Sequence, residues 1–163
     1  MMTLMHRSGV VALLALLSVS GLGACSGPES AVAAQAMQAN PAATATVGDA
    51  TLQASVMHVA DLNNAIAKRY AINRSNPGLL LLITVRDADG NGIVPGNLRL
   101  ETTAGALPDA PKKLDLRPIS TNGMTDYIGV FNARPPATVQ FRVKAIRNGA
   151  SAEISTNGEL YSR

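Results

Sequence analysis

Apolar and polar residues alternate along much of the chain, a pattern typical of β-strands with one buried face. The clearest example is Val139–Ala145, in which the odd-numbered residues are apolar and the even-numbered residues are polar. Asn148-Gly149 follows, and both residue types adopt the positive φ angles that a tight hairpin turn requires. We therefore expect a return strand over Ala150–Ser155, with Ile154 and Phe141 facing the core.

Other segments extend this pattern. Leu79–Val85 is an almost continuous apolar run, which indicates a strand buried on both faces. Further strands are predicted between Gly, Pro and Asn turn signals, at Thr51–Met57, Asn97–Thr102, Lys113–Arg117 and Met124–Phe131. About seven short strands at this spacing predict a mostly-β fold, a small antiparallel β-sandwich of the immunoglobulin-like kind.

One segment has a helical period instead. Leu62, Ile66 and Tyr70 recur at every fourth residue, which predicts one short helix over residues 62–71, between the first two predicted strands. Asp61 or Asn63 could cap its N-terminus. We expect this helix to bury its apolar stripe and to close one end of the sandwich.

The N-terminal segment has the features of a bacterial signal peptide. Arg7 precedes an apolar run, Val10–Ser20, and small residues then lead to Cys25. The run of about 11 to 15 residues is shorter than the ~20 that a membrane-spanning helix needs. Leu22–Cys25 resembles the lipobox of bacterial lipoproteins. The resemblance implies that Cys25 is lipidated and becomes the first residue of the mature chain; cleavage after Ala24 without lipidation is the main alternative.

These features predict three segments and a location. Residues 1–24 form the signal peptide, residues 25–47 the lipidated cysteine and an Ala-rich tether, and residues 48–163 the β-sandwich domain. The lipid on Cys25 would hold the domain at a membrane. Ser26 stands where many Gram-negative lipoproteins kept at the inner membrane have aspartate. That comparison favours the outer membrane, with the domain facing the periplasm.

Charge and composition add little to this picture. The formal net charge is +3, and the basic residues are spread along the chain without a cluster. The chain has neither a basic cluster nor any Trp, and it therefore lacks the basic stripe with interleaved aromatic residues that is typical of nucleic-acid binding. We expect no nucleic-acid partner.

The helical segment also carries a family resemblance. Residues Ala67–Ser75, AKRYAINRS, followed by an apolar strand, resemble the signature of an uncharacterised bacterial envelope family, domain of unknown function 4426 (DUF4426). The likeness extends loosely from Gly48 to Tyr161. Ala71 stands where the family has glycine, and Tyr127 stands alone where the family has paired tyrosines. The resemblance implies the fold and secretion, and it implies no chemistry because the family has no established activity.

The loop after the predicted helix is the candidate binding site. Arg74 would anchor an anion or a carboxylate, and Tyr70, Asn73 and Ser75 would shape the site. The alternative is structural, because a cation near a helix C-terminus also interacts with the last carbonyl groups of that helix.

Metal and cofactor signals are weak. Asp87, Asp89 and Asn91 have the spacing of the first half of a calcium-binding loop, but Leu98 occupies the twelfth position, where glutamate is needed. These residues also favour an ordinary turn between strands. His58 is the only histidine after the signal peptide, and a lone histidine cannot form a His-based zinc site. We expect no cofactor.

Two classes of function fit the sequence. The favoured one is a non-catalytic protein-interaction or accessory module of the envelope, in which an exposed sheet edge accepts an extended peptide. The alternative is a hydrolase or a ligand-binding domain that acts on envelope polymers. A hydrolase predicts a deep cleft with a perturbed pair of acidic residues, whereas a binding module predicts a shallow surface beside an open sheet edge.

Overall fold

Two antiparallel β-sheets face each other in the computed structural model, which describes residues 42–162. The first sheet contains, in spatial order, β1 (Ala43–Val47), β2 (Ala50–His58), β3 (Gly78–Arg86), β7 (Met124–Asn132) and β6 (Arg117–Thr121). The second contains β5 (Lys112–Lys113), β4 (Arg99–Ala106), β8 (Ala137–Arg147) and β9 (Ala150–Leu160). A 3₁₀ turn (Val59–Asp61) and a short helix, α1 (Asn64–Arg69), connect β2 to β3. The predicted mostly-β antiparallel sandwich with one short helix is confirmed.

Strand β3 lies at the centre of the first sheet and is buried on both faces, as predicted. On its inner face, Leu79, Leu81, Ile83 and Val85 pack in the core between the two sheets. On its outer face, Leu80 packs with residues of the 3₁₀ turn, α1 and β7. An apolar run therefore suits this strand better than alternation does.

The β8–β9 hairpin also agrees with the sequence pattern. Asn148 and Gly149 form its turn with φ angles of 50° and 80°. Phe141 is fully buried in the core, and Ile154 is buried across the hairpin. Both strands extend beyond their predicted ends, β9 to Leu160.

The sheet begins earlier in the chain than predicted. Strand β1 lies inside the segment assigned to the tether, so the predicted boundary at residue 48 is wrong. Ala43, Ala45 and Val47 face inward while Thr44 and Thr46 are exposed. Its five residue pairs with β2 hold β1 in the sheet although its side chains are small. The helix consequently follows the second strand instead of the first.

The strand predicted at Lys113–Arg117 does not form. Lys113 belongs to β5 in the second sheet and Arg117 begins β6 in the first, so the chain crosses between the sheets at residues 114–116. Leu114 and Leu116 place their side chains in the core during this crossing. Their alternation with polar residues thus has a tertiary cause: they fill the space where the chain changes sheets.

Helix α1 is shorter than predicted and is placed differently. It covers the outer face of the first sheet through Ala67, together with Leu62 and Val59 of the preceding turn, and does not close an end of the sandwich. Asn63 is the N-cap, and its side chain accepts a hydrogen bond from Ala65 N at 2.8 Å. This cap starts the helix after Leu62, so Ile66 is not on the buried side and is 46% exposed.

An ion pair joins the two sheets at the end of the sandwich that holds the β1–β2 turn. Arg147, nearly buried at the end of β8, donates to both carboxylate oxygens of Asp49 in the β1–β2 turn, at 2.6 and 3.0 Å. These hydrogen bonds hold the pKa of Asp49 below its usual value. Arg147 also donates to the carbonyl of Pro95. One side chain therefore connects both sheets and the loop before β4.

The predicted signal peptide and Cys25 lie outside the described residues. Within residues 42–162, no helix has the length and apolar character needed to cross a bilayer.

The C-terminus of α1 has a left-handed residue at the position where the DUF4426-like signature would have glycine. Ala71 has a φ of 48°. The amide of Ile72 donates to the carbonyl of Ala67 at 2.8 Å, and the amide of Ala71 donates to that of Lys68 at 3.2 Å. These two bonds form a Schellman motif, in which glycine is the preferred left-handed residue.

Replacing Ala71 with glycine is expected to stabilise the protein. A left-handed L-residue costs about 1–2 kcal/mol, and glycine removes this cost. Glycine also raises the conformational entropy of the unfolded chain, which lowers stability by ~0.4–1 kcal/mol. We expect the free energy of unfolding to rise by about 0.5–1 kcal/mol, measured by urea denaturation. Ala65→Gly, at an exposed position early in α1, is the control and should lower it. Destabilisation by Ala71→Gly would contradict this account.

Candidate functional site

A groove lies beside the end of β7, on the outer side of the first sheet. Its volume is about 250 Å³. Ile128 and Val130 of β7 form an apolar floor, and the loop that follows α1 forms one wall with Asn73 and Asn76. Arg117, the first residue of β6, lies at the other side together with Asp115. The groove is a shallow surface feature between a strand and two connecting segments.

The hydrogen-bonding pattern of β7 shows which backbone groups face this groove. Asn122 and Gly123 form a two-residue turn with positive φ, so Thr121 and Met124 are its closing hydrogen-bonded pair. Counting in twos from Met124, the backbone groups of alternate residues through Ile128 face β6. Pro118 pairs with Tyr127 at an intervening, non-bonded position, where a missing N–H does no harm.

Strand β6 begins too late to cover all of β7. Arg117 pairs with Ile128, and the residues before Arg117 leave the sheet. The next backbone groups that face this side belong to Val130 and Asn132. Among the described strands, only β3 pairs with this part of β7, on its other side. The groove therefore runs along an open sheet edge, where the backbone groups of two residues, Val130 and Asn132, have no partner strand among the described residues.

Arg117 is held in place by the loop that forms the opposite wall. Its guanidinium lies over the ring of Tyr70, 5.9 Å from the ring centroid, and donates to the backbone carbonyl of Tyr70. The hydroxyl of Tyr70 lies 3.4 Å from that of Thr121 on β6. This contact, with a smaller contribution from Arg69, lowers the pKa of Tyr70. Tyr70 therefore joins the loop to β6 at two points.

The structure does not bring the four residues predicted as a binding site, Tyr70, Asn73, Arg74 and Ser75, together in the groove. Of these, Asn73 lines the groove, and its side chain also accepts a hydrogen bond from Ser75 N at 3.0 Å. Arg74 turns the other way: it donates to the side chain of Asn64 and to the carbonyl of Ala60 at 2.5 Å. Both terminal nitrogens are thus engaged within the domain, which corrects the prediction of Arg74 as an anion anchor. Tyr70 contacts the site only through Arg117.

The cation that does line the groove, Arg117, was not a predicted site residue. It stood at the end of a predicted strand that does not form. One signal was available, because Pro118 favours an edge strand and Asn122-Gly123 fixes the hairpin register. The missing information was where β6 leaves β7, which depends on the burial of Leu114 and Leu116.

The calcium-like segment forms a turn that uses its own carboxylate. One oxygen of Asp87 accepts hydrogen bonds from the amides of Asp89 and Asn91 at 2.9 and 2.8 Å. The other accepts from the side-chain amide of Asn91 at 3.3 Å. These bonds, led by that of the Asn91 amide, lower the pKa of Asp87. Within residues 42–162, no three His, Cys, Asp or Glu side chains come close enough to share a metal ion.

Two other surface features lie away from the groove. His58 stacks on Tyr161 with ring centroids 6.1 Å apart, across the ends of the two sheets. A wider depression of about 410 Å³ lies against the second sheet. Its register places Lys144 between Glu101 and Glu153, an alternation of charge typical of a solvated face. Neither feature is lined by β7, and seven of the eight residues that line the depression carry charged or hydroxyl side chains.

Comparisons with known proteins place this architecture. A family model described as "Domain of unknown function (DUF4426)" matches residues 44–162. The fold is similar to the crystal structure of a DUF4426 family protein from Pseudomonas aeruginosa PAO1, with a TM-score of 0.58 and 17% sequence identity. That similarity covers 75% of this chain and 96% of the other. No curated protein matches this sequence.

Removing the side chain of Arg74 is expected to loosen α1 and its approach to the sheet. Arg74→Ala deletes two hydrogen bonds that tie the loop to Asn64 and Ala60. Because each hydrogen bond to a charged group contributes about 1.5–3 kcal/mol, we expect a loss of at least ~1.5 kcal/mol in the free energy of unfolding. Urea denaturation measures it, with Lys68→Ala, at an exposed helix position, as the control. Equal stability of the two variants would contradict this role of Arg74.

Proposed function

This chain belongs to the DUF4426 family, and on that premise we propose that it is a lipid-anchored, non-catalytic module of the bacterial envelope that binds an extended protein segment. The binding site is the groove beside β7. The anchor is a lipid on Cys25, and the location is the periplasmic side of the outer membrane.

The open edge of β7 is the observation that carries this proposal. The backbone groups of Val130 and Asn132 point along the sheet plane toward a position that no described strand occupies. Exposed edge groups of this kind pair readily with an added strand, which supplies main-chain hydrogen bonds. A short open edge beside a shallow groove is the surface expected of a binding module.

The chemistry of the groove supports a peptide as the ligand. Its floor, formed by Ile128 and Val130, suits an apolar side chain of a strand that lies beside β7. The side chains of Asn73 and Asn76 are exposed at the rim and can donate and accept hydrogen bonds. An extended chain offers both kinds of group in alternation.

The envelope location rests on the N-terminal sequence. The apolar run and Leu22–Cys25 resemble a lipoprotein signal, and Ser26 favours export to the outer membrane. A lipid anchor would bring the groove close to other envelope proteins and raise their effective concentration. The hydrolase alternative remains an untested prediction that no geometric observation favours.

Site-specific crosslinking in cells tests the proposal. A photoreactive amino acid is placed at Asn76, at the rim of the groove, or at Ser155, an exposed residue of β9 in the second sheet. We expect one specific envelope protein to crosslink at position 76 and none at position 155. We also expect the mass of the purified mature protein to include an acyl-bearing group on its first residue.

The Cys25→Ser variant is the control for the anchor. It should lose both the added mass and the crosslinked partner, because the domain is no longer held at the membrane. Equal crosslinking at positions 76 and 155, or none at either, would refute the binding site. A wild-type mature chain without added mass would refute the anchor.

A further inference from the structure

We propose that the groove recognises the free C-terminal carboxylate of its partner, with Arg117 as the group that binds it. This inference rests on the proposed function, because it specifies which part of an extended protein segment occupies the site. The partner segment pairs antiparallel with β7 at Val130 and Asn132, and its last residue lies against Arg117.

The position of β6 sets the direction of the bound segment. A strand added at Val130 and Asn132 lies on the same side of β7 as β6 and in line with it. Since β6 starts at Arg117, the added strand cannot continue past that residue. If it runs antiparallel to β7, as β6 does, its C-terminal end meets Arg117. If it runs parallel to β7, its N-terminal end does.

The charges at this point favour the C-terminal end. Arg117 uses one terminal nitrogen for the carbonyl of Tyr70, and its remaining N–H groups have no acceptor within residues 42–162. Arginine donates to carboxylates in a fixed, fork-like geometry. The acidic residue that lines the groove, Asp115, is paired with Lys113 at 2.9 Å. A partner carboxylate is therefore attracted here, whereas a partner ammonium group is repelled.

The setting of Arg117 also prepares it for this task. The ring of Tyr70 supports the guanidinium, and the bond to the Tyr70 carbonyl fixes its orientation before a ligand arrives. Lys68 and Arg69, both exposed at the end of α1, add positive charge near the same loop. A preorganised donor loses less conformational entropy on binding than a mobile one.

The length of the edge limits what is recognised. Two outward-facing residues on β7 can pair with about four residues of a partner strand. The apolar floor beside Val130 then lies under one side chain of that short tail. We infer a ligand of about four C-terminal residues, with an apolar side chain followed by a terminal carboxylate.

Paired peptides test this inference without altering the protein. An array of random octapeptides, acetylated at the N-terminus, is synthesised once with a free C-terminal carboxylate and once with a C-terminal amide. Binding to the full-length protein is measured by fluorescence polarisation. We expect the binding peptides to be free acids and to lose at least ~10-fold in affinity on amidation, because a charge-assisted pair is lost.

Two variants of the protein locate the effect. Arg117→Lys keeps the positive charge but removes the fork, so it should weaken the free acids and leave the weaker amides unchanged. Arg142→Lys, at an exposed position on the second sheet, should change neither. Asn76→Trp, which fills the groove, should abolish binding of both forms. Urea denaturation of each variant confirms that the fold is kept.

The outcomes separate this inference from the proposed function. Equal affinity for acid and amide peptides, with both lost in Asn76→Trp, would overturn the carboxylate site and leave the peptide-binding groove standing. Binding that survives in Asn76→Trp, or no binding of any peptide, would overturn both. A preference for free acids that Arg117→Lys does not change would show that another cation binds the carboxylate.

Discussion

The burial of Leu114 and Leu116 is the constraint on which the rest of this surface depends. These side chains enter the core where the chain crosses from the second sheet to the first. Leu114 is buried and Leu116 partly buried there. Full burial of a leucine side chain stabilises a fold by ~1.5–3 kcal/mol, which offsets the ladder hydrogen bonds, at ~0.5–1.5 kcal/mol each, that the chain gives up where it leaves β7. The chain therefore leaves the sheet edge before Arg117, and β7 keeps an open edge. The candidate binding site is thus a consequence of core packing.

The loop after α1 forms one wall of the groove beside this edge, and two arginines have different roles there. Arg74 turns inward and ties the loop to Asn64 and Ala60, which keeps α1 on the outer face of the first sheet. Arg117 approaches from β6 and is held by Tyr70. The first arginine stabilises the wall of the groove, and the second presents its remaining N–H groups to a ligand. The proposed binding and the observed fold therefore use the same loop.

Local pattern predicted the elements that depend on near neighbours. The β8–β9 hairpin follows from alternation and Asn148-Gly149, and β3 follows from its apolar run. Elements that depend on distant partners were missed or misplaced: β1 has only small side chains, and Leu114 and Leu116 alternate like strand residues although they cross between sheets. The prediction of the residue that lines the groove missed Arg117 for the same reason. Arg74 and Arg117 are equally basic in sequence, and only tertiary packing decides which one faces the groove.

Backbone amide hydrogen exchange along β7, measured by NMR on the ligand-free protein, tests the open edge most directly. The backbone N–H groups of Gly129 and Phe131 point toward β3, whereas those of Val130 and Asn132 point away from it, toward the groove. The account predicts an alternating pattern in which the amides of Val130 and Asn132 exchange at least ~10-fold faster than those of Gly129 and Phe131. Uniform protection from Ile128 to Asn132 would mean that this edge is already paired, and would contradict the account.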